Sequence, residues 1–242
     1  MLEWFEKTKA AFVLNFIKDD RWRFLVNGLT VTLRITLFAL LIGVVIGVVV
    51  AIVRSTYDKN TDTAKRGISR ILLRFFNWLC KLYLTIIRGT PVVVQLMIFY
   101  YVILVSIKNG EIIGILAFGI NSGAYIAEIF RSGIMSIDTG QFEAGRSLGF
   151  NYIQTMRYII IPQAFKNILP TLANEFIVLL KETAVVGYIA VQDLAKAGDI
   201  IRGRTFSAFM PLLAVALVYL ALVMFFTWLV GKLERRLRSS ER

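Results

Sequence analysis

The 242-residue sequence predicts an all-α integral membrane protein with about five transmembrane helices. Three observations lead there. The chain is 57% hydrophobic, with a mean hydropathy of +0.68. Its apolar runs reach the roughly 20 residues that a helix needs to cross a bilayer core. They do not alternate as the strands of a membrane barrel do. Lys and Arg outnumber Asp and Glu by 28 to 16 and gather between the runs, as they do in cytoplasmic loops. The net charge of +12 therefore has a membrane explanation, and no aromatic-plus-basic pattern points to nucleic acid.

The elements follow in order. Residues 1–23 mix Glu, Asp, Lys and Arg with aromatic residues. They lack the basic start, clean apolar run and small-residue cleavage site of a signal peptide. They read as an amphipathic segment lying on the membrane surface. Spans are expected at about 24–53, 71–106 (interrupted at the RGTP stretch), 112–131, 165–190 and 208–231. Together, 24–231 form one membrane domain, and 232–242 is a basic tail. With the C-terminus inside, the segments 54–74, 131–166 and 232–242 carry fifteen Lys and Arg, including Lys65, Arg66 and Arg242. The outer segments 1–23, 107–111 and 191–206 carry nine. This bias predicts N-out, C-in.

Some chemistry is excluded. There is no histidine, so no histidine proton relay and no His-ligated metal. The single cysteine, Cys80, lies in an apolar segment and reads as packing. No G-x-x-x-x-G-K-[ST] loop is present, so the chain is not expected to hydrolyse ATP by itself. G-x-x-x-G pairs at Gly43/Gly47 and Gly119/Gly123 read as close helix packing.

Polar residues inside spans usually face a partner or a cavity. Asn27, Thr30 and Arg34 share a helix face near the outer end of the first span. Arg34 either snorkels, pairs structurally or serves translocation. Arg88, Pro91 and Gln95 share a face of the second span by the same spacing. Pro91 suits a first helical turn, so the choice lies between a kink and a half-helix N-terminus that favours a carboxylate. Asn121, Tyr125, Glu128 and Ser132 form a stripe, with Glu128 placed to pair with Arg131. Glu175 and Glu182 share a face of the fourth span. These groups either touch substrate or act in structure and gating.

The stretch QFEAGRSLGFNYIQTMRYIIIP, 141–162, interrupts the hydrophobic pattern. Its residues predict a short helix ended by Gly149 in a left-handed conformation. Asn151 is placed to cap a second helix, and Pro162 to break it. Glu143, Ala144 and Gly149, followed after nine residues by Ile159, Ile161 and Pro162, match the cytoplasmic loop of ABC importer membrane subunits. That family usually has Ala at the position of Gly145 and Leu at that of Ile161. IIRGTPVVVQLMIFYY (86–101), SGAYIAEIFRSGI (122–134) and LPTLANEFIVLLKETAVVG (169–187) resemble the polar amino-acid branch of the family.

The resemblance implies a type I ABC importer transmembrane fold in a bacterial inner membrane. It implies that Glu143, Ala144, Gly145, Arg146, Ser147, Leu148, Gly149 and Pro162 form a coupling segment, within a loop at 137–162. Two separate ATPase subunits, which hold ATP and Mg, dock there. The other implied partners are a second permease chain, an extracytoplasmic binding protein, a polar amino acid and lipid. No cofactor is expected in this chain. The alternative is a secondary transporter driven by an ion gradient, for which buried carboxylates are suitable but inverted repeats are not evident.

Overall fold

A computed structural model of the chain describes residues 1–60 and 68–239. Lys65, Arg66 and Arg242, counted above toward orientation, lie outside the described residues. Every regular element among them is helical: α1 Leu2–Phe12, α2 Trp22–Asn60, α3 Ile68–Gly89, α4 Val92–Ile98, α5 Gly110–Met135, α6 Thr139–Ser147, α7 Tyr152–Thr155, α8 Ile161–Glu182, α9 Leu194–Thr205 and α10 Phe209–Ser239. Short π turns occupy Val13–Ile17, Phe99–Ile103 and Met156–Ile160, and 3-10 turns Lys18–Asp20 and Thr183–Ile189.

Helices α2, α5 and α10 are each long and apolar enough to cross a membrane. A fourth span arises if α3, from Arg70, and α4 with its π turn to Ile103 count as one broken crossing. The chain turns by 110° at this break. Thr90 and Pro91 occupy it because proline has no N–H to continue the ladder of α3. The expected fourth span, α8, is long enough but carries Lys166, Glu175, Lys181 and Glu182 and does not qualify on apolarity. Only 11% of the apolar part of α10 is buried within the chain, so nearly all of it is left for lipid or a partner.

The break also corrects an expectation. Arg88, Pro91 and Gln95 share no helix face, because i, i+3, i+7 spacing holds only on a continuous helix. Pro91 directly precedes α4, where its fixed φ starts a helix well.

The chain forms two compact units. The first comprises Met1–Ala39, Val92–Phe118 and Ile177–Trp228. Here the N-terminal segment is tied down by buried polar groups. Asn15 is fully buried, donates to Ser207 Oγ at 3.3 Å and accepts from Thr205 Oγ1 at 2.8 Å. Arg21, also buried, donates to the Leu14 carbonyl and to Asp19. Arg34 pairs with Glu111 at 3.1 Å. Helix α9 falls in a segment expected to be a plain connection. Asp193 caps it, accepting from the N–H groups of Ala195 and Lys196. Gly28 permits α2 to approach this cap, since a Cβ there would stand 2.6 Å from the Asp193 carbonyl oxygen.

The second unit comprises Leu40–Pro91, Gly119–Phe176 and Leu229–Arg242. Its apolar core joins Val50, Leu84, Ile87, Ala124 and Ala127, with Ile46, Cys80, Tyr83 and Ile120 packed around them. Cys80 is thus a packing residue. The small residues bring α2 and α5 together as their spacing predicts. A Cβ on Gly47 would stand 2.6 Å from Ile126, and one on Gly123 2.9 Å from Ile46.

Candidate functional site

Two features of the second unit carry the candidate residues. The first is the helix–turn–helix of α6 and α7. Asp138 caps α6 by accepting from the Gly140 N–H. At its other end, Phe150 N–H donates to the Gly145 carbonyl and Gly149 N–H to the Arg146 carbonyl, with Gly149 at φ 81°. This pair of bonds is a Schellman closure, which satisfies the last carbonyls and needs a left-handed residue that glycine adopts without Cβ strain. Asn151 then opens α7 with a reciprocal capping box. Its side chain accepts from Gln154 N–H, and the Gln154 side chain accepts from Asn151 N–H, both at 2.9 Å.

The turn is therefore built by local rules, and it presents a defined face. Gly145 is the buried residue of α6 and lies against Thr155. Glu143, Ala144, Arg146, Ser147, Leu148 and Gly149 are exposed, Leu148 by 71%. Glu143, Ala144, Ser147 and Leu148 share one side of the helix by their spacing. Ile153, on α7, is also exposed. An exposed leucine and isoleucine beside a carboxylate suit contact with another protein.

Pro162 does not break the second helix. Residues 156–160 form a π turn, in which the Ile161 N–H reaches back to the Met156 carbonyl, and α8 continues to Glu182. The wider turn absorbs the donor that proline lacks.

The second feature is a set of polar groups on α3, α5 and α8. Ser122 Oγ donates to Glu175 Oε1 at 2.9 Å. Glu128 and Arg131 pair as expected, with Arg131 Nε 3.2 Å from both carboxylate oxygens. The Arg88 guanidinium lies 5.8 Å from the centroid of the Tyr125 ring. Asn121 is buried, and Tyr125 and Ser132 are exposed. Ser122 was not among the expected residues. It lies one position off the Asn121–Tyr125–Glu128 stripe, and only the packing of α5 against α8 singles it out. Gln95 and Glu182 belong to the first unit. Gln95 is buried there and Glu182 half-buried.

Among the described residues outside the membrane-spanning segments, two carboxylates are perturbed. Burial raises the pKa of Asp193, against the opposing pull of the α9 N–H groups. Hydrogen bonds from Arg202 and Lys196 lower that of Asp199.

Long apolar helices, a capped polar helix–turn–helix with an exposed face, and carboxylates placed among spans define a multi-pass membrane transport subunit. Residues 67–239 match the family of inner membrane components of binding-protein-dependent transport systems, and the chain belongs to that family. Similar proteins include a putative glutamine transport system permease protein GlnP of Rickettsia typhi, 39% identical over 169 residues that cover 69% of this chain and 76% of the relative. The arginine transport system permease protein ArtQ of Bacillus subtilis is 38% identical over 171 residues, covering 69% and 78%. Glutamine transport system permease protein GlnP of Escherichia coli is 36% identical over 166 residues, covering 67% and 76%.

Among solved structures, an amino acid ABC transporter with histidines matches with a TM-score of 0.78 at 38% identity, covering 88% of this chain and 94% of that one. The MetNI methionine ABC transporter in an inward-facing conformation matches with a TM-score of 0.75, at 20% identity and over 91% and 99%, and shares the fold. The chain is thus a multi-pass inner-membrane permease subunit with a type I ABC importer transmembrane fold. Proteins of this class leave ATP hydrolysis to separate subunits. An ion-gradient-driven transporter finds no support in this membership.

Proposed function

We propose that the chain is the membrane subunit of an ABC importer for polar amino acids. It crosses the membrane five times, N-out and C-in, with α8 as the crossing that its charges disguise. Residues 1–23 lie on the outer surface, 24–231 form the permease domain and 232–242 a cytoplasmic tail. Two such chains, or this chain and a similar one, pair across the pathway. An extracytoplasmic binding protein delivers the amino acid.

Two ATPase subunits, which hold ATP and Mg, dock on the 137–162 loop through Glu143, Ala144, Gly145, Arg146, Ser147, Leu148 and Gly149, with Pro162 closing the segment. ATP binding closes the ATPase pair, and the capped α6 transmits that movement to α8. The permease then switches between inward-open and outward-open arrangements. Arg88, Pro91, Gln95, Asn121, Tyr125, Glu128, Glu175 and Glu182 line or gate the pathway. An amino acid needs an anionic partner for its ammonium and a cation or helix end for its carboxylate, and these residues offer both.

The observation that carries this reading is the exposed Glu143–Leu148 face, held rigid by a cap at each end of the turn. The named substrates of the relatives, glutamine and arginine, support the substrate class. The test is reconstitution in lipid vesicles with the co-purified ATPase. Uptake of a polar amino acid must depend on ATP, and a panel of amino acids must differ in the ATPase stimulation they produce. Uptake driven by an ion gradient with no ATPase present would overturn the proposal.

A further inference from the structure

The second unit contains an open pocket of about 530 Å³ lined by Arg54, Lys81, Leu84, Thr85, Arg88 and Gly89. Three of its six lining residues are cations. Among the described residues, no carboxylate lies within ion-pair distance of any of them. Glu128, on α5, faces Arg54 and Arg88 electrostatically, and its carboxylate is held by Arg131. The Nε of Arg54 is buried without a hydrogen-bond partner among the described residues. The Thr85 hydroxyl donates to the Lys81 carbonyl, so its oxygen is left to accept and the pocket's charged donors are the three cations. At Gly89 nothing lies within 4 Å of where a Cβ would stand, which leaves that wall of the pocket open. Like charges gathered around one space repel unless an anion enters it.

The depth of the pocket is legible in α2. Arg34 and Arg54 bracket residues 35–53, which contain no charged side chain and lie on one continuous helix. At 1.5 Å per residue this run is roughly 28 Å long, close to the roughly 30 Å hydrocarbon thickness of a bilayer. Arg54 therefore stands at headgroup level, and the pocket with it. Helix α3 has matching chemistry. Arg70, Arg74, Lys81 and Arg88 recur along one side, while Phe75, Phe76 and Trp78 are exposed. Basic residues with exposed aromatics beside them are enriched where a crossing meets the headgroup region.

We propose that the Arg54–Lys81–Arg88 pocket binds the phosphate group of an anionic phospholipid. The same cations accept phosphate from solution, and depth decides for the lipid. The proposal rests on α2 spanning the membrane and not on the identity of the transported substrate, so it can fail while the import reading stands.

Native mass spectrometry of the full chain released from nanodiscs tests it. Phosphatidylglycerol must be retained in preference to phosphatidylcholine, and added inorganic phosphate must fail to displace it. The Arg54→Gln/Lys81→Gln double variant must lose retention by roughly fivefold per cation removed. Arg54→Lys with Lys81→Arg must keep it, as must Arg74→Gln, which lies on α3 outside the pocket. Arg88 is left unaltered because it belongs to the proposed pathway. Equal retention of the two lipids by the wild-type chain overturns the proposal whether or not the double variant folds. So does displacement by inorganic phosphate, which identifies a soluble-anion site, or equal loss in Arg74→Gln, which identifies a diffuse basic surface.

Discussion

Gly145 and Thr155 compete for the same space. A Cβ on Gly145 would lie 2.7 Å from both Cγ2 and Oγ1 of Thr155, and Thr155 is itself buried, its hydroxyl donating to the Asn151 carbonyl. The threonine thus fills the room that a methyl at Gly145 would take. Gly145→Ala is expected to cost about 1–3 kcal/mol by overpacking. Gly145→Ala/Thr155→Ala should cost less than the two single changes combined, and a double-mutant cycle from thermal unfolding checks this. Asp193 offers a second test. Burial raises its folded pKa above the unfolded value of about 3.9. Its contribution to stability is full below that value and falls as pH rises through the folded pKa. Asn keeps the cap but cannot ionise. Asp193→Asn should therefore gain stability relative to wild type as pH is raised from 4 toward neutrality, and melting curves across that range would show no trend if the burial argument is wrong.

At the scale of elements, the α6–α7 turn depends on caps more than on a core. Asp138, Gly149 and Asn151 each satisfy backbone groups that a helix end leaves open. The exposed face can therefore change its side chains without losing its shape. Under the proposed docking, Glu143→Lys should leave the chain folded and weaken ATPase binding by roughly tenfold or more, since like-charge juxtaposition costs several kcal/mol. Pull-down titration measures this, and unchanged binding and uptake would remove Glu143 from the interface. Gly149 and Asn151 were legible in the sequence because each rule spans only a few positions, whereas the Asp138 cap was found only in the structure. The π turn at 156–160 was not legible. Nothing in MRYII signals an extra residue per turn, and the reading of Pro162 as a break followed from assuming α geometry on both sides of it.

At the scale of the whole molecule, the question is how charged groups are tolerated among spans. Some are held in ion pairs, as with Arg34 and Glu111 or Glu128 and Arg131. Glu175 accepts a hydrogen bond from the neutral hydroxyl of Ser122. Glu175→Gln preserves an oxygen to accept from Ser122 while removing the charge. It is expected to leave assembly with the ATPase intact and to lower uptake by roughly tenfold, the effect of about 1.4 kcal/mol lost on a charged hydrogen bond. Vesicle uptake and co-purification measured on one preparation separate these outcomes. Loss of assembly would make Glu175 a structural carboxylate.

The sequence by itself determined the membrane class, the long apolar helices, the G-x-x-x-G contacts and the turn from Gly149 to the Asn151 cap. All depend on local composition or on spacing within one helix, where backbone geometry converts residue number directly into direction. Tertiary structure decided what crosses between elements: that Arg34 meets Glu111, that Ser122 meets Glu175, and that Asp193 starts a helix beneath Gly28. It also decided that Arg88 and Gln95 lie on separate helices. Periodicity assigns a residue to a face, but which neighbour that face meets depends on breaks, turns and close approaches that no single helix encodes.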